Sequence, residues 1–411
     1  MRFLYNILIY IIIIFSPIII FLRILKKKEN PKRFLEKFGF LQRKRQHGKL
    51  IWFHCSSVGE FLSIVPLLEK LEKEKDIKNI LLSTSTLSSS KIFKKFKFKK
   101  TIHQFYPIDN HLIINKFLDH WKPSSVFFVE SEIWPEMLRV LKTKNIKIYL
   151  LNARISKQSF IRWKKFRKIG IKIFNVFDYI FPQNQETLNY LKYFKVKKLK
   201  ILGNLKFSES QKLSSNKALP KIFKKRRIFC AASTHNNEEE IISDVHLSLK
   251  KNINNLITVI IPRHIERSRK ILNNLREKNL NCICHSEKKK LSKNTDIYLV
   301  DTYGESKAFY SISNVVFLGG SFVPRGGQNP LEPVRFGCSI THGKHIFNFT
   351  EIYSMLNKSK LSFEAKNFYE LKKIIFNLII KSQNNKKKVN KFKKIGNKIL
   401  TKNFEKIRVL I

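Results

Sequence analysis

Residues 126–135 run Val126-Phe127-Phe128-Val129-Glu130-Ser131-Glu132-Ile133-Trp134-Pro135. The four apolar residues predict a short buried strand, and the run stops abruptly in two carboxylates, a tryptophan and a proline. Runs of the same kind recur upstream at 50–54 (LIWFH) and 80–83 (ILLS) and downstream at 146–151 (IKIYLL). Between the first two lies a helical pattern from Phe61, with apolar Leu62, Val65, Leu68 and Leu71. Strands alternating with helices predict βαβ units and a parallel sheet, so Glu130 and Glu132 fall at a strand's carboxyl end, where open α/β sheets bind ligands. The chain turns polar at 208–220 (SESQKLSSNKALP), then the alternation restarts at 228–232, 257–261, 297–300 and 315–318. That pattern predicts an inter-domain linker and a second doubly wound domain, the pair enclosing a cleft.

With 411 residues and 43% hydrophobic content, the chain is long enough for two buried cores. Its 81 Lys+Arg against 30 Asp+Glu give a net charge of +51, which favours an anionic partner: nucleic acid, phospholipid or a phosphorylated substrate. Abundant Lys, Asn, Ile and Phe also fit an A/T-rich coding bias, so charge alone does not choose among these. Five cysteines without regular spacing predict no disulfide framework and a reducing compartment. Cys282, Cys284 and His285 lack a second ligand pair nearby, and are read as part of or beside a strand. Phe3 to Leu22 carries no charge and is followed by Arg23, Lys26, Lys27 and Lys28, predicting a membrane anchor over residues 1–25. The basic flank places everything after it on the cytoplasmic side as a single-pass protein, with an in-plane or re-entrant helix bent at Pro17 as the alternative.

Several segments set reactive side chains at element ends. Ser57-x-x-Glu60 opens the helix after the first strand; it has the form of a capping box, and it also places a carboxylate where a general base could stand ionised at a positive helix end. Asn152-Ala153-Arg154 and Gly203-Asn204-Leu205-Lys206-Phe207 put cations near the same strand ends. In the second half, Ser233 and Thr234 precede the acids Glu238 to Glu240 at a helix start, and Pro262-Arg263-His264 offers a guanidinium at a strand end for phosphate or base. Tyr303, Gly304 and Glu305 follow another strand. Gly319, Gly320, Gly326 and Gly327, from thirteen glycines in the chain, lead into Gln328-Asn329-Pro330-Leu331-Glu332-Pro333. Backbone amides there can hold a phosphate, and Glu332 can accept ribose hydroxyls. No Walker or G-x-G-x-x-G motif occurs, and His342 and His345 read as loop histidines without a carboxylate partner.

In this order, SSVGE at 56–60, ESEIWP at 130–135, NARIS at 152–156, GNLKF at 203–207, STH at 233–235, PRH at 262–264, DTYGE at 301–305, GGS at 319–321, GGQNPLEP at 326–333 and HIFNF at 345–349 resemble the bacterial 3-deoxy-D-manno-octulosonate (Kdo) transferases. The resemblance implies an α/β GT-B fold of two Rossmann-like domains behind an N-terminal transmembrane helix: residues 26–210 for the acceptor and 211–411 for the donor. It implies transfer of Kdo from CMP-Kdo to a lipid A precursor, lipid IVA, in lipopolysaccharide synthesis at the cytoplasmic face of the inner membrane. Anionic membrane lipids would be a further partner; nucleic acid, cofactor and metal would not. Glu60 becomes the proton acceptor of an inverting reaction, and Glu130 and Lys206 stabilise its transition state. Pro262, Arg263, Tyr303, Gly304, Glu305, Asn329, Pro330, Leu331 and Glu332 fall on the CMP-binding segments. Gln328 stands where many members have His, and Ser208 where an acid often follows.

Overall fold

Uninterrupted apolar runs suit strands covered on both faces, and parallel sheets bury both. In the computed structural model, which describes residues 2–41, 43–208, 219, 221–289, 291–381 and 385–411, such runs build two all-parallel sheets. The polar linker lies outside the described residues except for Ser208 and Leu219. The first sheet comprises β1 (Leu50–Cys55), β2 (Asn79–Thr84), β3 (Thr101–Phe105), β4 (Ser125–Val129), β5 (Lys147–Ala153) and β6 (Tyr179–Pro182), in the order β3-β2-β1-β4-β5-β6. The winding reverses between β1 and β4, and His54 pairs with Phe128 across that line. Ligands of open α/β sheets bind at such a reversal, outside the carboxyl ends of the strands. Trp52, Phe117, Trp121, Phe128 and Phe194 anchor the core on one face of this sheet.

The second sheet comprises β7 (Arg227–Thr234), β8 (Leu256–Pro262), β9 (Cys282–Cys284), β10 (Ile297–Leu299), β11 (Val315–Leu318), β12 (Ser339–His342) and β13 (Ser362–Glu364). Its order is β13-β12-β11-β7-β8-β10-β9, with the reversal between β7 and β11. All five cysteines are free, Cys282 and Cys284 lie in β9, and no group of metal-binding side chains occurs among the described residues.

Three local expectations are corrected. The helix expected from Phe61 starts at Val58, because Ser57 caps it. His342 is not a loop residue: it ends β12 fully buried, its Nδ1 against the Gly343 carbonyl at 2.7 Å and its ring 4.4 Å from that of Tyr353. The chain also divides differently at its end. One compact unit is Met1–Lys212 with Ile395–Ile411, the other Leu213–Lys394. The helix Lys386–Leu410 therefore begins in the second unit and finishes in the first, where Leu400, Asn403 and Ile407 are buried. At the other terminus the helix Arg2–Leu25 contains Ile7–Leu25, long and apolar enough to cross a bilayer, with a mean hydropathy of 2.8.

Candidate active site

In the first unit the reactive groups gather where β1 and β4 end. Ser57 accepts the amide of Glu60 at 3.3 Å, and Glu60 Oε2 accepts the amides of Ser56 and Ser57 at 2.7 and 3.4 Å, so the capping box is real. Capping does not leave this carboxylate ordinary. Burial, then the charges of Glu132 and Glu130, push Glu60 up to about 7 against the opposing pull of its hydrogen bonds. Burial and the two neighbouring acids thus work against the ionised form that the helix end favours.

Glu130 follows β4 with φ +62°, a left-handed conformation that a non-glycine residue adopts at a cost. Its backbone is held on both sides, the amide by the Leu151 carbonyl at 2.9 Å and the carbonyl by the Arg154 amide at 3.2 Å. The carboxylate, almost fully buried, meets Lys206 Nζ at 2.7 Å. Asn152, also left-handed at φ +53°, accepts the Leu205 amide at 3.0 Å and so docks the short turn Leu205–Phe207 that carries Lys206. Ser208, at the position of the missing acid, donates to the Leu205 carbonyl.

Glu132, expected with Glu130 at the ligand-binding end of β4, has a partner to which no motif points. In the fold His54 Nε2 lies 3.1 Å from Glu132 Oε2, which also accepts Trp134 Nε1–H at 2.8 Å. On the other side of the ring, Nδ1 lies 2.9 Å from Ser83 Oγ and 3.2 Å from the Ser83 carbonyl oxygen. Ser83 in turn accepts from Trp52 Nε1 at 2.8 Å, and Tyr106 stacks on the imidazole at 3.8 Å. Glu132 is thus fixed by a fully buried imidazole.

The second unit collects its candidates along the carboxyl edge of β7, β8, β10 and β11. Ser233 (φ +56°) bulges out of β7, and Gly319 packs so tightly on it that a Cβ would sit 2.3 Å from the Ser233 carbonyl oxygen. The amides of Gly320, Ser321 and Phe322 converge on Glu238 at 2.7, 3.1 and 3.0 Å, which also accepts the His235 amide at 2.9 Å. Beside this loop stand cations. His235 is held down at about 4 by burial and then by His264, Arg325, Arg263 and Arg267, a concentration of positive charge suited to an anion.

The nine nucleotide-segment residues separate by exposure. Pro262, Glu305, Pro330 and Leu331 are buried and shape the backbone, while Arg263, Tyr303 and Gly304 (φ +91°) are exposed. Tyr303 donates to Glu266 at 3.4 Å. Asn329 Oδ1 accepts the Leu331 amide at 3.1 Å, and Glu332 lies 3.9 Å from Lys307, linking the segment after β10 to the one after β11. Gln328 presents its carbonyl to the Tyr353 hydroxyl at 3.2 Å.

Residues 32–209 match the family model described as 3-deoxy-D-manno-octulosonic-acid transferase (kdotransferase). The 3-deoxy-D-manno-octulosonic acid transferase of Rickettsia bellii is 31% identical over 403 residues, covering 97% of this chain and 96% of that protein. The transferase of the same name from Haemophilus influenzae is 34% identical, over 74% of this chain and 73% of that protein. Among solved structures, the UDP-GlcNAc 2-epimerase of Neisseria meningitidis superposes with a TM-score of 0.58 at 14% identity, covering 88% of this chain and 98% of that one, a likeness of fold alone. The glycotransferase of kitacinnamycin superposes at 0.54 with 8% identity, covering 89% and 99%.

Proposed function

Because this chain belongs to the 3-deoxy-D-manno-octulosonic acid transferase family, and is therefore a glycosyltransferase, we propose that it takes Kdo from CMP-Kdo and attaches it to lipid IVA with inversion at the anomeric carbon. The observation that carries the mechanism is Glu60: a carboxylate at the reversal of the first sheet with its proton affinity near neutrality. Such a group can take the proton of an acceptor hydroxyl as that oxygen bonds to the anomeric carbon, and can release it afterwards. The bond from that carbon to the CMP phosphate breaks on the opposite face. Lys206, paired with Glu130, offers a fixed cation for charge developing on the sugar acid or the leaving group.

The donor's nucleotide fits the second unit. Arg263, with Arg325 and Arg267 also close to His235, supplies positive charge for a single phosphate, and Glu332 with Asn329 offers acceptors for ribose hydroxyls. Pro262, Tyr303, Gly304, Glu305, Pro330 and Leu331 shape and floor that site. The acceptor is a phosphorylated lipid, so the apolar helix Arg2–Leu25 and the net charge of +51 support work at the cytoplasmic face of the inner membrane, against anionic lipid. Mass spectrometry of the lipid after incubating purified protein with CMP-Kdo and lipid IVA tests the reading. The expected result is a mass gain of one or more Kdo with release of CMP. An unmodified lipid, with CMP-Kdo bound or hydrolysed to free Kdo, refutes the acceptor.

A further inference from the structure

The helix Arg2–Leu25 is apolar on nearly every side, yet it is not evenly exposed. Ile14, Phe15, Ile18 and Phe21 are 71%, 54%, 60% and 61% exposed. Tyr5, Ile9, Ile13, Ile20 and Ile24 are half-buried and Ser16 is buried, at spacings of three or four residues that trace one stripe down the helix. Ser16, the polar side chain midway, falls on that stripe, 6% exposed, with its hydroxyl on the Ile13 carbonyl. At the start of the helix the Tyr5 hydroxyl donates to Asp109 Oδ2 at 2.5 Å. Asp109 is a buried carboxylate that also accepts the amides of Glu136 and Met137, opening the helix Pro135–Thr143. Beyond the far end, the Lys37 carbonyl accepts the amide of Ile108, the residue before Asp109. Tyr5, near the start of the helix, and Lys37, twelve residues beyond its end, thus bond to neighbouring residues of one loop of the first unit.

A helix of this length measures about 36 Å, and the hydrocarbon core of a bilayer is about 30 Å thick. If it crossed, Tyr5 would lie on the far side of the membrane from everything after Leu25, including Asp109. We propose that the helix lies in the plane of the membrane: its shielded stripe rests on the first unit, its remaining circumference sits in the acyl layer of an anionic phospholipid bilayer, and both its ends stay on the side of the catalytic units. Interfacial helices ordinarily supply their own polar face. Here the first unit, to which Tyr5 is tied through Asp109, would take the place of that polar face. Arg23, Lys26, Lys27, Lys28 and Lys32 follow at headgroup level, where basic residues meet anionic lipid.

This inference rests on the membrane reading above, and the test separates the two. Full-length protein carrying a cysteine tag ahead of Met1, and a second version with exposed Lys164→Cys as marker of the catalytic side, are placed in sealed vesicles and treated with a membrane-impermeant maleimide, with the untagged protein as baseline. The expected result is that both cysteines label from the same side of the same vesicles. Labelling from opposite sides means a spanning helix and overturns the inference while leaving membrane attachment intact. Flotation with phosphatidylglycerol-containing vesicles is the companion measurement: protein that stays at the bottom of the gradient overturns membrane attachment itself, and the inference with it.

Discussion

Glu60 is both a helix cap and a carboxyl group pushed up to about 7, and a glutamine tells the two roles apart. Glu60→Gln still accepts backbone amides, so the cap survives, but the amide takes no proton. Turnover should fall by about two to four orders of magnitude with CMP affinity retained, measured by single-turnover assay and calorimetry. Because the proton affinity is raised, the base form exists only as pH rises through about 7, so wild-type kcat/KM should climb to a plateau above that value. The same sign applies to stability: burial favours protonated Glu60, and this contribution is lost as pH rises through the folded-state value. The Tm of Glu60→Gln relative to wild type should therefore increase from pH 5 to pH 8. Glu132→Gln removes the largest neighbouring charge and keeps acceptors for His54 and Trp134, so the acid limb of the pH profile should move to lower pH. An unmoved limb would mean that Glu132 does not tune Glu60. Arg263→Ala and Glu332→Ala should each weaken CMP binding by about 1–3 kcal/mol by titration calorimetry. None of the His54 chemistry was legible in the sequence: a histidine inside an apolar run reads as core, and nothing in the spacing ties residue 54 to residue 132.

At the scale of elements, central strands were legible and edges were not. β1, β4, β7 and β8 are continuous apolar runs because helices cover both faces of the sheets. β3, in contrast, carries His103 and Gln104 indoors, hydrogen-bonded to Thr84 and Glu36, and β6 and β13 have only four and three residues, too short for a period. The glycine segment announced a loop under tight constraint, but its partner could not be read from it: the amides of residues 320–322 are met by Glu238, which in sequence looked like one acid of a helix start. Glu238→Ala would strand four amides at once, and an unsatisfied buried group costs about 1–3 kcal/mol. A clear drop in Tm, together with weaker CMP binding as the loop relaxes, should follow in calorimetry.

For the molecule as a whole, two sheets with a reversal in each were foreseeable from the alternation, whereas the return of the chain's end to the first unit was not, since a lysine-rich tail resembles a solvated helix in one dimension. Deleting residues 1–25 should leave a protein that binds CMP like the full chain and acts on detergent-dispersed acceptor, but acts poorly on acceptor in vesicles. Equal loss in both assays would mean that the helix holds up the fold rather than the membrane contact. The returning helix has its own consequence. Ile399 packs on Gly203, and Gly396 is so close to the Phe207 carbonyl that a Cβ would come within 2.2 Å, so the turn bearing Lys206 is backed by residues that follow the whole second unit in sequence. Synthesis runs from amino to carboxyl end, so the ribosome must finish the entire second unit before the first can close around its lysine. A chain that stops between residues 212 and 395 would therefore lack the helix segment behind this turn, and the Lys206–Glu130 pair would lose that backing.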